Sequence, residues 1–383
     1  MKDLLHFDEL LSDDEKLIRQ TASDFIRDEL EPYIEIWFAN GEFPQHLVKK
    51  MAELGFLGIS LPEEFGGSAA SPLMYGLIME QLEYGDSGIR SFASVQNSLV
   101  NYPIWKYGSD KQKKYWLPRL AAGEVIGCFG LTEADFGSNP AGMRTRAQEY
   151  ANHYILNGSK MWITNGSIAD IAIVWAKLDG ELRAFLVPTD TPGFSAREIK
   201  DKWSLRASVT SELVFEGCQI PKENILALAK GLKAPLSCLT QARFGIAWGA
   251  LGAAKACLNA ALNYAATRIQ FDKPIGAFQL SQEKLVEIYS RLIQGELAAW
   301  RVAKLKEGAL FDHNQVSFIK RNNVELARET AKSARSILGA NGISAEYPIM
   351  RHLMNLESVY TYEGTHEIHT LILGKYLTGE SAF

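Results

Sequence analysis

Ile171-Ala172-Ile173-Val174-Trp175, with Tyr154-Ile155-Leu156-Asn157-Gly158 before it and Glu212-Leu213-Val214-Phe215 after it, decides the fold class. The stretches follow a strand's period of two and are bounded by Gly, Asn, Asp or Pro, so they read as short strands. No long helical period separates them. That argues against βαβ crossovers and for an antiparallel sandwich or barrel over residues 121–225.

On either side the pattern is helical. In residues 1–120, Ser12-Asp13-Asp14-Glu15 is a capping box, and Leu17, Ile18, Ala22, Phe25 and Ile26 behind it repeat at helical spacing as one buried stripe. Phe43-Pro44 opens a helix ending at Gly55, and Leu61 to Gly67 forms a turn before a helix through Met74, Ile78 and Leu82. After Pro221 long helical runs cover Ala229 to Arg268, Ser281 to Glu307, His313 to Leu338 and Glu367 to Tyr376. The first is rich in Ala and Gly (Gly245, Gly249, Gly252), which permits close helix contacts within a bundle and with other subunits. The expectation is a mostly α, α+β chain: an N-terminal helical domain (1–120), a middle antiparallel β domain (121–225) and a C-terminal four-helix bundle (226–383).

Composition removes several functions. The 383 residues are 47% hydrophobic, enough for a large core or two, and the net charge of −5 with scattered Lys and Arg lacks the basic stripe that nucleic acid requires. No run of about 18 residues is apolar and free of charge, and Met1-Lys2-Asp3 does not begin a signal peptide, so a cytoplasmic chain without membrane insertion is expected. Cys128, Cys218, Cys238 and Cys257 have no CxxC spacing and sit among apolar or small residues, as reduced core thiols do. His366 and His369 have no second ligand cluster, so no metal site is expected.

Three stretches can carry chemistry. In Thr361-Tyr362-Glu363-Gly364-Thr365-His366 a carboxylate stands between an aromatic ring and a glycine; withdrawn from water it would resist ionising and become a base near neutral pH. The plain alternative is a surface Glu beside a helix cap at Gly364-Thr365. The segment from Cys128 to Gly142 reads as a strand entering a loop of small residues, where Thr132, Ser138 and backbone N–H groups can meet a carbonyl or phosphate oxygen. It has neither GK[ST] nor GxGxxG, so neither nucleotide-binding turn is supported. Lys160-Met161-Trp162-Ile163-Thr164-Asn165-Gly166 puts an indole and a hydroxyl beside a turn, a backing for a flavin ring or simply core.

Taken in order, these blocks resemble the acyl-CoA dehydrogenase flavoprotein family over essentially the whole chain. The resemblance rests on Leu131-Thr132-Glu133 through Ser138, Gly158 to Asn165, Arg268-Ile269-Gln270-Phe271 with Pro274, Ile275 and Gln279, Leu338 to Ile343, and Tyr362 to Thr365. Within the family, Asp86 to Ser91, Ile126 to Gly130, Ser204 to Ser208 and Met354 to Glu357 are most similar to the decarboxylating glutaryl-CoA dehydrogenase branch.

The resemblance implies FAD as cofactor, glutaryl-CoA as substrate, an electron-transfer flavoprotein as acceptor, and a homotetramer. It implies that Glu363 removes the α proton of a thioester while hydride leaves the β carbon for the flavin. It places Arg90 in the acyl pocket, gripping the distal carboxylate, with Glu83 seven residues earlier on the same helical face to orient it, and Ser91, Ser94, Tyr362 and Gly364 nearby. Without the family, Arg90 would read as a surface partner of Asp86 at i,i+4. Leu236, Arg243 and Ser138 would line the CoA channel. Phe129, Leu131, Thr132, Gly137, Ser138, Trp162, Ile163 and Thr164 would surround FAD, with Thr365, His366 and Glu367 close by. Arg268, Phe271, Gln279, Ser336, Leu338, Gly339 and Ala340 match positions that reach FAD from a neighbouring subunit. Asn139 departs from the usual Asp beside that serine.

Competing readings are a dehydrogenase for another short or branched acyl-CoA, an acyl-CoA oxidase, and a non-catalytic FAD-binding assembly protein of the same fold. No Asp or Glu lies between Glu223 and Asp272, where some branched-chain relatives carry their base, which favours Glu363.

Overall fold

The structure, a computed structural model, describes residues 2–382. Helices α1 (Asp13–Phe25), α2 (Ile34–Asn40), α3 (Leu47–Glu53), α4 (Pro72–Gly85), α5 (Ser87–Ser94), α6 (Tyr102–Tyr107) and α7 (Asp110–Ala121) come first. The Ser12 capping box forms as expected, Ser12 and Glu15 each taking the other's backbone N–H. Leu17 departs from the expected stripe: at 66% exposure it lies on the solvent side, while Ala22, Phe25 and Ile26 carry the burial.

The β region holds β1 (Gly127–Gly130), β2 (Arg146–Glu149), β3 (His153–Thr164), β4 (Ile171–Leu178), β5 (Glu181–Pro188), β6 (Phe194–Glu198), β7 (Thr210–Pro221) and β8 (Ile225–Lys230). Their order is β6-β7-β3-β2-β4-β5-β8, with β1 added beside β4. Most neighbours are antiparallel, but β1 and β2 both run parallel to β4. The deciding stretch lies in β4. Ile171, Ile173 and Trp175 pack with α6, α7 and the start of the next helix, whereas Ala172 and Val174 pack inward on Leu156, Leu213 and Phe215 of β3 and β7. Burial on both faces corrects the expected period of two: this stretch is apolar throughout and does not alternate.

The C-terminal part consists of α8 (Lys233–Thr267), α9 (Gln279–Lys306), α10 (His313–Ile337), α11 (Ile349–Thr361) and α12 (His366–Thr378). Two expectations are corrected here. Ala229 does not open a helix, because β8 continues to Lys230 paired with Arg183 of β5. Ile349–Thr361 is a helix of its own, its stripe of Ile349, Leu353, Leu356 and Val359 facing the core together with buried Arg351, His352 and Asn355. The glycines of α8 press that helix onto α4 within the same chain: a Cβ at Gly245 would stand 2.7 Å from Tyr75 Oη, and one at Gly252 would stand 1.9 Å from the Glu80 carbonyl. All four cysteines are buried and free, and burial pushes the thiols of Cys128, Cys238 and Cys257 up to about 12. Among the described residues no helix is long and apolar enough to cross a membrane.

Candidate active site

Glu363 occupies the short connection between α11 and α12. Thr365 caps α12, its Oγ1 accepting from Ile368 N–H at 3.2 Å, so the cap foreseen as the plain reading exists and Glu363 stands just outside it. Backbone φ is +52° at Glu363 and +101° at Gly364. The left-handed region costs a non-glycine residue energy and persists only where its surroundings hold it. Here two buried cations do so: Lys320 Nζ donates to the carbonyls of Tyr362 (2.8 Å) and Gly364 (2.6 Å), and Arg243 Nε donates to that of Glu363 (2.6 Å).

The turn carries the Glu363 carboxyl inward. The residue is half-buried, and its Oε2 is sealed from solvent with no hydrogen-bond partner among the described residues. Burial pushes the carboxyl from an ordinary 4.5 up to about 7, against the opposing pull of Arg90, Lys320 and Arg243. A carboxyl at that value can both hold and remove a proton near neutrality.

Arg90 is 1% exposed and lies on α5 with buried Ser91 and Ser94. Its Nε pairs with Glu83, and its Nη2 donates to the Tyr362 hydroxyl. Ser87 Oγ donates to the other Glu83 oxygen at 2.8 Å. Tyr362 Oη lies 3.5 Å from Ser91 Oγ, and burial raises its phenol to about 12. Glu83 and Arg90 do not share a helix, contrary to expectation: α4 ends at Gly85, and Asp86 is extended (φ −161°, ψ 140°) before α5 begins. Nor does Asp86 pair with Arg90. Its Oδ2 accepts from Arg351 (2.9 Å) and Asn355 (2.8 Å) of α11, and its Oδ1 from Gly88 N–H (2.6 Å). This network fixes the α4–α5 corner against α11, the helix that leads into the Glu363 turn.

Gly249 of α8 makes room for the Glu83–Arg90 pair, since a Cβ there would stand 2.1 Å from Glu83 Oε2 and 3.0 Å from Arg90 Nε. Gly249→Ala is therefore expected to destabilise the fold by about 1–3 kcal/mol, the usual cost of overpacking. It should also displace Arg90. Denaturant unfolding checks the first effect, and a crystal structure of the variant checks the second.

The residues assigned to a flavin fall into two groups. In the first, Phe129 and Leu131 are buried at the end of β1, Thr132 is half-buried, and Gly137 and Ser138 are exposed on the following loop. That loop is anchored by Glu133, which accepts from Arg144 N–H (2.6 Å), Thr145 N–H (2.9 Å) and Lys160 Nζ (2.9 Å). Those donors outweigh the effect of burial and hold the Glu133 carboxyl down at about 2. Trp162 sits in a bulge of β3 with φ +63° and is 61% exposed, so its indole is a surface platform and not core. Thr164 is half-buried beside it, while the Ile163 side chain is 3% exposed and packs inside the sheet, leaving only its backbone for a ligand. An open indole face next to a hydroxyl and a loop with free space at Gly137 fit a flat ring and its polar tail.

The second group gathers at another edge. Arg268 and Phe271 (86% exposed, φ +50°) lie between α8 and α9, Gln279 opens α9, Ser336 lies in the last turn of α10, and Gly339 and Ala340 lie just beyond it. Lys284 Nζ, 2.8 Å from Ser336 Oγ, links the two segments. Leu338 is 2% exposed in the helical core, so its side chain cannot reach a ligand. Leu236 is half-buried near the start of α8. His366 stacks on Tyr360 with ring centres 4.7 Å apart, and Glu367 is exposed. Cavities of about 420 and 510 Å³ open beside α1 and α4, the first reaching Glu80 and Lys255 and the second Leu54 and Met74; neither is lined by Glu363 or Arg90.

Lys320, Gly249 and the Asp86 network escaped the sequence reading. Only Gly249 had a signal, its place in the glycine spacing of α8.

The chain matches family models described as the N-terminal (residues 12–124), middle (128–218) and C-terminal (229–378) domains of acyl-CoA dehydrogenase. Proteins of that family bind FAD. The chain is 37% identical to the mitochondrial short-chain specific acyl-CoA dehydrogenase of Homo sapiens, over 96% of this chain and 90% of that protein. It is 53% identical to the crystal structure of glutaryl-CoA dehydrogenase from Mycobacterium smegmatis, with a TM-score of 0.98 over 100% of this chain and 98% of that one. A structure of a glutaryl-CoA dehydrogenase from the same organism in complex with FADH2 is 52% identical, with a TM-score of 0.98 over 99% of this chain and 98% of that one. A glutaryl-CoA dehydrogenase solved as its glutaryl-CoA complex is 33% identical, with a TM-score of 0.93 over 97% of each chain. Full-length likeness in sequence and in all three domains places this chain in the acyl-CoA dehydrogenase family.

Proposed function

We propose that this protein catalyses the FAD-dependent oxidative decarboxylation of glutaryl-CoA to crotonyl-CoA and CO2, passing electrons to an electron-transfer flavoprotein. The observation that carries the reading is Arg90, a fully enclosed guanidinium bonded to the tyrosine that precedes the candidate base. A buried cation is costly unless anions meet it. Glu83 supplies one, and the distal carboxylate of a dicarboxylic acyl group supplies a second, whereas a plain alkyl chain would leave Arg90 facing hydrocarbon. Likeness to the mitochondrial short-chain enzyme supports oxidation of a short acyl chain; Arg90 is what favours glutaryl over butyryl.

The thioester acidifies its α C–H, and Glu363, ionised in part at neutral pH, removes that proton. The backbone N–H of Glu363 would donate to the thioester carbonyl, where charge develops. FAD, when bound, supplies the two-electron acceptor for the hydride that leaves the β carbon. Phe129, Leu131, Thr132, Gly137, Ser138, Trp162, Thr164 and the backbone of Ile163 would hold it in one subunit, near Thr365, His366 and Glu367. Arg268, Phe271, Gln279, Ser336, Gly339 and Ala340 would reach it from the next subunit of a tetramer. Ser138, Leu236 and Arg243 would line the path for CoA. After oxidation the distal carboxylate is allylic to the new double bond, so loss of CO2 leaves a delocalised dienolate. Glu363 then returns its proton to the γ carbon, giving crotonyl-CoA.

Incubation of the purified protein with glutaryl-CoA and an artificial electron acceptor, with products identified by mass, tests this directly. Crotonyl-CoA is expected. Glutaconyl-CoA alone would remove the decarboxylation step, and absence of turnover alongside active butyryl-CoA oxidation would remove the substrate.

A further inference from the structure

Lys320 lies on α10, an amphipathic helix, yet it is 1% exposed and makes no salt bridge among the described residues. An enclosed ammonium without a direct acidic partner is costly. Its Nζ instead meets the carbonyls on either side of the candidate base, those of Tyr362 and Gly364. Leucine or methionine would fill the same space without that cost, so the amino group itself has a task.

Resting on the assignment of Glu363 as base, we infer that Lys320 is a positioning residue. From α10 it fixes the left-handed turn that presents the carboxylate, and its charge governs the pH at which that carboxylate forms. The charged and titratable groups that act on it come from the turn and three helices: Glu363 and Tyr362 from the turn, Arg243 from α8, Arg90 from α5, and His366, Glu367 and His369 from α12. Burial, with Arg243 and Arg90, works against the ammonium, while Glu363 and Glu367 favour it, and the balance brings Lys320 down to about 7. A neutral amine retains two N–H donors for the two carbonyls, so the turn stays tied when the charge leaves. Positioning is thus independent of pH, and the electrostatic effect is not.

Lys320→Met and Lys320→Gln, each loaded with FAD, separate the two effects. The carbonyl stretch of protonated Glu363, identified as the infrared band absent from Glu363→Gln, is followed against pH in substrate-free enzyme. In Lys320→Met the midpoint is expected to rise by about one pH unit, because a nearby positive charge is gone. The limiting rate of flavin reduction at high pH should fall by on the order of tenfold to a hundredfold, because the carboxylate is no longer aimed. Lys320→Gln, uncharged but with two N–H donors, should recover part of the rate and keep the raised midpoint. An unmoved midpoint in both variants, or an unchanged limiting rate in Lys320→Met, overturns the inference; should Lys320→Met fail to fold, the Lys320→Gln midpoint decides. The titration needs no substrate, so a shifted midpoint in a protein inactive on glutaryl-CoA would count against the proposed reaction and not against Lys320.

Discussion

Glu363→Gln is expected to lower glutaryl-CoA oxidation by at least about a thousandfold, the range in which positioned general bases act. FAD binding should be retained, because the amide is isosteric and the contacts that set the turn involve backbone carbonyls. A thousandfold corresponds to about 4 kcal/mol of transition-state stabilisation. The unsubstituted enzyme should show a rate that rises with pH through about 7 as the carboxyl ionises. Stability supplies a second readout with its own sign. A carboxyl raised to about 7 in the fold from an ordinary 4.5 favours the folded state only while protonated. That advantage fades as pH climbs between those values and is absent above them, where the buried anion is a net cost. Glu363→Gln removes the cost, so it should stabilise the protein by about 1–3 kcal/mol at pH near 8 and by little at pH near 5. Denaturant midpoints at the two pH values check this. Full residual oxidation in the variant would dismiss Glu363 as base.

Much of the architecture was legible because local pattern and tertiary environment agree. Ser12 and Glu15 form the box their spacing promised, and the β4 run is a strand because both of its faces are covered. Reading failed where a partner far along the chain overrode local preference. The alanines before Gly231 favour helix, but pairing of β8 with β5 makes them strand. Helix α11 has an apolar stripe of Ile349, Leu353, Leu356 and Val359, but Arg351, His352 and Asn355 are buried beside it, so polar residues interrupt the inner face that the stripe marks. Lys320 looks like any solvated lysine on an amphipathic helix until two carbonyls arrive from the Glu363 turn. Trp162, as aromatic as the core around it, is turned outward by a positive φ that no sequence pattern announces. Glu363 itself stood out from a surface glutamate only through the family resemblance of its neighbours.

Arg90→Gln is expected to lower kcat/KM for glutaryl-CoA by on the order of a thousandfold while butyryl-CoA oxidation changes by less than about tenfold. The guanidinium bonds Glu83 and Tyr362 and, in the proposed reaction, the distal carboxylate. Breaking a buried charge pair costs roughly 3–5 kcal/mol when the remaining charge has no outlet. Here Glu83 has one: it keeps the Ser87 hydroxyl, and the Gln amide can donate to it. The fold should therefore survive, somewhat less stable, and because both substrates are measured on the same folded enzyme that loss cancels from their ratio. What does not cancel is the substrate's carboxylate, which must then be desolvated without a cation to receive it. A neutral alkyl chain loses nothing comparable and gains from the removal of a charge at its tip. Equal losses on both substrates would show that Arg90 acts through Tyr362 to hold the base turn, and would leave substrate choice to some other residue of the pocket.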